Sequence, residues 1–312
     1  MLIRSKMFAF NGQNTSPCFD SSPFFAERPT SFLCVGYPYN YNNASFDADL
    51  DSLHYGWDYA LDGNGWLNAV PLTFIPPYSV NNALPGNPTL NVNNGQFTVF
   101  PQTGISPQGN FVTVMRVESY RCNIKIAEVY REIQVSLSTL CPQLATGTNT
   151  PPKLFPKPFP DPITGAPASS FEKTIYAGDT VIATFSFNDF DVNLDGSFQT
   201  ATMDPLSSEF ATNYATSPPS NCDRPPCAYF TNVSSPFPVI IPPVVTPAFP
   251  PQAQVRFFWP TTCNHRGGAS FGQCATLSNT YYFILRLKDN ACPIPAYNTQ
   301  TLSITVIEPP KF

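Results

Sequence analysis

An all-β fold is predicted by three features of this 312-residue sequence. It carries 36 prolines, which break helices. It carries 27 phenylalanines and 14 tyrosines, residues that favour strands. No segment sustains an apolar period of 3.6 beyond about two turns, whereas strict alternation recurs. In "KIAEVYREIQVSLSTL", Ile133, Val135 and Leu137 fall on one face and Gln134, Ser136 and Ser138 on the other. One buried and one wet face is the pattern of packed antiparallel sheets.

The elements follow in order. "DSLHYGW" reads as a strand with Leu53, Tyr55 and Trp57 inward. "TLNV" and "QFTVF" flank Asn94-Gly95, a strong hairpin turn. "NFVTVMRVESY" pairs with "KIAEVYREIQVSLSTL" across a turn at Cys122 and Asn123, and the charges of "RVESYR" and "YREIQ" are expected as cross-strand pairs on the wet face. Residues 142–170 are rich in Pro, Gly, Ser and Thr without periodicity, the composition of an extended linker. Beyond them come "DTVIATFSFND", "AQVRFFW", "TYYFILRLKDN" and "TLSITVIE", the last two a closing hairpin. The expected architecture is two Ig-like or cadherin-like β-sandwich domains, 1–141 and 171–312, joined by the 142–170 linker.

Composition narrows function. Only 12% of residues are charged, against roughly 25% in an average domain, and the net charge is -5. No basic run exists to hold a phosphate backbone, so nucleic acid is excluded as a partner. No apolar run approaches the roughly 20 residues of a membrane span. The N-terminal "MLIRSKMFAF" lacks the pattern of a signal peptide, so a mature form or an excerpt is expected.

Nine cysteines without C-x2-C spacing read as disulfides of an oxidising compartment, hence extracellular or cell-surface. Cys18–Cys34, Cys122–Cys141 and Cys222–Cys227 are the expected bridges. Cys263, Cys274 and Cys292 permit any one pair; Cys263–Cys292 is preferred, leaving Cys274 unpaired.

The phrases "NTSPCFDSSPFF", "FLCVGYPYNYNNASFDADLDSLHYGW", "GNFVTVMRVESYRCNIKIAEVYREIQV", "NCDRPPCAYF", "FFWPTTCNH" and "LRLKDNACPIPA" span nearly the whole chain. Together they resemble the gliding motility-associated, type IX-secreted multidomain surface proteins of the Bacteroidota. The resemblance implies a non-enzymatic secreted protein with cadherin-like or immunoglobulin-like modules, serving adhesion, surface layers or filaments. Neither a sorting domain nor an export signal occurs in these residues, so that route of secretion is implied by the resemblance alone.

Two acidic stretches stand out. Asp47, Asp49 and Asp51 occupy alternate positions, and this stretch resembles a D-x-D-G-D-S turn of cadherin-like modules. Carboxylates this close repel unless a cation such as calcium lies among them, or unless they cap the backbone of a solvated turn. Asp189, Asp191, Asn193 and Asp195 before Gly196 begin like a calcium loop, but Thr200 stands where an EF-hand needs glutamate.

Catalysis has little material. His54 and His265 are the only histidines, and Ser52 with His54 on one strand makes no triad. Asp51-Ser52-Leu53 and Asp179-Thr180-Val181 resemble the Bacteroidota O-glycosylation triplet, which would modify Ser52 and Thr180. The leading reading is a structural module of a surface adhesin or filament, self-associating by strand addition through "MLIRSKMFAF" or "TVIEPPKF". The alternative is a carbohydrate-binding module using Trp57, Tyr59 and Trp66.

Overall fold

A computed structural model describes residues 3–10, 14, 19–62, 69–102, 109–139, 141, 143–145, 147–234, 238–266, 278–291 and 295–310. The chain is all-β. Among the described residues the one helical turn is the 3-10 segment Cys263–His265. None of its helices is long and apolar enough to cross a membrane. Two units divide it, Met1–Cys141 and Pro142–Phe312.

In the first unit the long hairpin Gly109–Arg121 and Ile124–Ser138 forms the centre of a sheet. Cys122 and Asn123, both at positive φ, turn it, the backbone that a two-residue primed turn requires. Ser52–Asp58 lies beyond Gly109–Arg121, and Ile3–Met7 beyond Ile124–Ser138, while Phe32–Cys34 runs parallel to the end of Ile124–Ser138. A smaller antiparallel set, Tyr39–Asn42, Gln96–Val99 and Thr89–Leu90, faces it. Trp57 of the large sheet meets Phe97 of the small one edge-on at 5.4 Å. Alternation holds where it was clearest, since Ile133, Val135 and Leu137 are buried. Gly95 sits at φ +71° with Tyr55 so close that an added Cβ would stand 2.5 Å from its ring. Only glycine fits that turn.

The charges expected on the wet face do pair, although Glu118 and Glu128 are themselves buried. Lys125 Nζ bridges Glu118 at 3.0 Å and Glu128 at 2.9 Å, and Arg116 reaches Asp58 at 2.8 Å. Arg131, however, falls in phase with Val129 and Ile133 and is buried. Its guanidinium donates to the Glu27 carbonyl and to Asn43 Oδ1, and lies over the Phe25 ring.

The second unit is a sandwich of two five-stranded sheets. One orders Val244–Val245, Ala201–Leu206, Ser278–Asp289 and Tyr297–Ile307, with Glu172–Tyr176 parallel to the last. The other orders Lys153–Phe155, Thr180–Asn188, Gln252–Pro260, Tyr229–Thr231 and Val239–Ile240. An aromatic core joins them: Phe283 meets Phe257 at 5.0 Å and Trp259 at 4.9 Å, all three fully buried. Edge-to-face geometry of this kind adds to the burial of the rings.

Residues 142–170, expected as a linker, instead carry Gln143–Leu144 paired with Gly147–Thr148, and Lys153–Phe155 as an edge strand on Thr180–Asn188. Backbone groups need partners, and this proline-rich stretch finds them in the second sandwich.

The cysteine pairing also departs from expectation. Cys222–Cys227 forms as anticipated, but Cys34 bonds Cys141 across 107 residues, with 5.9 Å between Cα atoms. Cys18–Cys34 and Cys122–Cys141 are thereby both excluded. Neighbourhood along the chain misleads here because Cys34 aligns with Ser138, three residues from Cys141. Cys122 lies at the other end of a strand which, at about 3.3 Å per residue, separates it from Cys141 by several times the reach of a disulfide. Cys122 is disulfide-bonded all the same. Cys263 is a free, exposed thiol, so the Cys263–Cys292 pair is a further correction: it opens the 3-10 turn with its side chain at the surface. Cys18, Cys274 and Cys292 lie outside the described residues.

Candidate metal centres in two acidic clusters

The first cluster gathers around the entry to Ser52–Asp58. Asp47 Oδ1 accepts from the backbone N–H groups of Asp49 at 2.9 Å and Asp51 at 3.3 Å, while Leu50 takes positive φ. This is the backbone-capping role open to aspartate in a turn. Asp49 Oδ2 accepts from the Ser21 N–H, which brings in Asp20, a residue the sequence pattern did not single out. Asp20, Asp49 and Asp51 each place a carboxylate oxygen within 4.8 Å of the others.

A cation already stands among them. Arg121, at the end of Gly109–Arg121, grips Asp51 bidentately, Nε to Oδ1 and Nη2 to Oδ2, each at 2.8 Å. Its Nη2 also reaches Asp20 Oδ1 at 2.6 Å and lies 3.9 Å from Asp49. Burial, opposed by Arg121, pushes the Asp51 carboxyl up. Burial, with the Asp51 charge next, pushes Asp20 up to about 6.

Asp47 is pushed furthest, to about 8, by burial first and the Asp51 charge second. Its folded carboxyl holds a proton where the unfolded one, titrating near 3.8, has lost it. The folded state therefore binds more protons between these values, and the associated stability falls as pH rises through about 8. Asp47→Asn keeps the Oδ1 acceptor and removes the charge. It is expected to raise the melting temperature at pH 8 by several degrees, worth about 2 kcal/mol, and to flatten the stabilisation that the parent shows on acidification to pH 5. Equal melting of parent and variant at both pH values would refute the assignment.

The second cluster lies in the second unit. Here the anticipated quartet splits. Asn193 and Asp195 form the tip of a tight turn, where the Asn193 N–H donates to the Ser197 carbonyl. Asp195 accepts from the Ser197 N–H and hydroxyl, which holds its carboxyl below the usual range. Asp189 and Asp191 stay at the base of the loop, where Thr180–Asn188 ends. Asp189 Oδ1 accepts from the Asp191 N–H at 3.0 Å. Asp191 Oδ2 accepts from the Thr150 N–H at 2.6 Å and from its hydroxyl at 3.0 Å.

Three residues that the motif did not contain join them. Asp289 ends Ser278–Asp289, its Oδ1 capping the N–H groups of Ala291 and Ala296. Asn149 Nδ2 donates to Asp289 Oδ2 at 2.8 Å. The Gln199 N–H donates to the Asp191 carbonyl. Burial raises Asp189 to about 7, with the charges of Asp191 and Asp289 adding to it, and raises Asp289 to about 6. A strand-ending aspartate in "KDNA" was a weak clue to Asp289. Asn149 had none, because its segment read as linker.

The other anticipated residues scatter. His54 is exposed, opposite Glu118 on the next strand. His265 is buried, accepting from the Thr262 N–H at Nδ1 and placing Nε2 2.9 Å from the Arg224 carbonyl, so both ring nitrogens are engaged. Trp57 is half-buried, Tyr59 is exposed, and Trp66 lies outside the described residues. Ser52 and Thr180 are both exposed.

No family model matches the chain, and no curated protein matches it. Among solved structures it is similar to human protocadherin-24 EC1-2, at 12% identity over 94% of this chain and 100% of that one, with a TM-score of 0.25. It is similar to Drosophila N-cadherin EC1-4 at 10% identity, covering 93% and 51%, with a TM-score of 0.24. Zebrafish RET cadherin-like domains 1 to 4 give 9% identity, 92% and 49%, and 0.22. At such scores the functional reading rests on the chain's own residues.

Proposed function

We propose that this chain is a non-enzymatic extracellular structural module, part of a cell-surface adhesin or a subunit of an extracellular filament or surface layer, with calcium as its structural ion. The observation that carries the reading is the Cys34–Cys141 bridge. It clasps the residue where the chain leaves the first unit to a strand laid down 107 residues earlier. Tension entering there meets a covalent bond before it meets any hydrogen-bonded strand. Disulfides also accord with an oxidising compartment. A surface protein of the Bacteroidota, exported by the type IX route and modified at the exposed Ser52 and Thr180, is the finer form of this proposal.

Self-association by strand addition has a specific edge. The N-terminal stretch is no free donor, because Ile3–Met7 pairs with Ala127–Arg131, and the tail strand pairs in Tyr297–Ile307. The Phe8 N–H donates to the Ile126 carbonyl, so by alternation the N–H groups of Ile3, Ser5 and Met7 point away from their own sheet. Such an edge accepts a neighbour's strand. Purified chain is expected to form regular filaments under electron microscopy, and Ser5→Pro, which removes one outward donor, is expected to disperse them. Monodisperse monomers of the parent at high concentration would defeat the filament form.

Carbohydrate binding is the second reading. It is favoured by the exposed ring of Tyr59, one of the aromatics singled out in the sequence, which can stack on a sugar face.

A further inference from the structure

We infer that His265 is a pH-sensitive lock: as a neutral imidazole it ties the turn Cys263–His265 to the disulfide loop Cys222–Cys227, and as an imidazolium it cannot hold both. The lock is independent of filament formation and of calcium.

Two backbone groups fix the state of the ring. The Thr262 N–H lies 2.9 Å from Nδ1, so that nitrogen must present a lone pair. The Arg224 carbonyl lies 2.9 Å from Nε2, so that nitrogen must carry the proton. A backbone donor and a backbone acceptor cannot exchange roles, and one neutral tautomer alone satisfies both. The bond to Thr262 completes a capping box: the Thr262 hydroxyl accepts from the Asn264 N–H at 3.3 Å, and the third residue of the turn reaches back to the Thr262 N–H. Glutamate or glutamine usually fills that third place. Histidine makes the box titratable.

The other end of the lock is Arg224, inside the loop that Cys222–Cys227 closes. Its peptide groups are gripped from both sides. The N–H donates to Glu209 Oε2 at 3.1 Å, and the carbonyl accepts from His265. Glu209 is 1% exposed and His265 is 0% exposed.

A second proton on the ring breaks this arrangement. Imidazolium has two donors and no acceptor, so its Nδ1–H would face the Thr262 N–H, donor against donor. The ring also meets Trp259 and Tyr281 edge-on at 5.1 and 5.8 Å, a place where no water solvates a new charge. The charged groups around it do not invite one. Arg224 is itself a cation, and Glu209, 3.6 Å from Arg224 Nη1, is already engaged by it. Asp223 lies beside Arg224 in the exposed part of the loop. Within the turn Cys263 is exposed, and Arg266 is engaged by Glu308 at 3.4 Å.

Burial, with the Arg224 charge adding to it, lowers the His265 pKa from its usual 6.5. The folded state therefore binds fewer protons than the unfolded one just below that value. The stabilisation from the lock is complete above 6.5 and is lost as pH falls below it. Glu209 has the opposite sign, since burial raises it to about 7 and its contribution grows on acidification through that value. Melting of the whole chain mixes the two, and a local measurement separates them.

Amide hydrogen exchange of the full chain at pH 7.5 and 5.0, corrected for the intrinsic effect of pH, tests the lock. In the parent, residues 261–266 and 222–227 are expected to exchange about tenfold faster at pH 5.0, well below the 6.5 at which an unburied imidazole takes its proton. His265→Gln keeps an acceptor for the Thr262 N–H and cannot be charged, so the same residues are expected to change less than about twofold. Nitrogen NMR reads the ring directly, and the surface change His54→Asn distinguishes the signals of the two histidines. The His265 proton is expected on Nε2 at pH 7.5, with a titration midpoint below 6.5. A proton on Nδ1, a midpoint at or above 6.5, parent exchange equal at both pH values, or a pH response that survives in His265→Gln would overturn the lock.

Discussion

Arg121→Met is expected to lower the melting temperature of the full chain by about 10 °C at pH 8. The guanidinium makes three hydrogen bonds to two carboxylates, Asp51 and Asp20, whose side chains are almost fully buried. Removing one partner of a buried ion pair leaves the other charges uncompensated, a loss of about 3–5 kcal/mol. At roughly 2–4 °C per kcal/mol for a chain of this size, that gives the stated shift. The pH dependence is diagnostic. Without the arginine, Asp20 and Asp51 titrate higher still, so acidification to pH 5 protonates them and recovers part of the loss. Arg121→Lys keeps the charge but not the bidentate geometry, and it belongs between parent and methionine variant. A methionine variant melting within 2 °C of the parent at pH 8 would show that the arginine is not what holds this cluster.

Removing the clasp gives the other large effect. Cys34→Ser with Cys141→Ser opens a loop of 107 residues, and chain-entropy reasoning assigns such a closure about 4–5 kcal/mol. The pair Cys222 and Cys227 is five residues apart, and the same reasoning assigns it about 2 kcal/mol. Urea unfolding of the two double-serine variants is therefore expected to rank them, with the long-range pair about twice as damaging. Equal losses, or a larger loss from the short loop, would mean that native contacts rather than loop closure set the effect of these bridges.

Much of the fold was legible in the sequence. Alternation placed Ile133, Val135 and Leu137 inward, and Asn94-Gly95 placed a turn, because both signals are local and depend only on the period of a strand and the backbone of a turn. Arg131 was misread for the complementary reason: its charge argued for the wet face, while its phase put it inside. The missed cysteine partners follow the same logic. Sequence distance favours Cys122 with Cys141, but an extended strand of 15 residues carries the two apart, and a parallel neighbour brings Cys34 in.

The candidate sites divide along the same line. Asp47, Asp49, Asp51, Asp189 and Asp191 announced themselves by spacing, since carboxylates so close along the chain repel unless a cation or backbone N–H groups meet them. Nothing in that spacing shows that Arg121, 70 residues beyond Asp51, comes back across a sheet to neutralise the first group. Nor does it show that Asp289 and Asn149, 140 residues apart, meet over the second. The sequence by itself determined the all-β character, the turns and the existence of two carboxylate-rich loops, because each is written in neighbouring residues. Only the tertiary structure decided that Arg121 stands among the carboxylates of the first loop and that Asp289 and Asn149 join the second, because that depends on side chains that strand pairing brings together from distant parts of the chain.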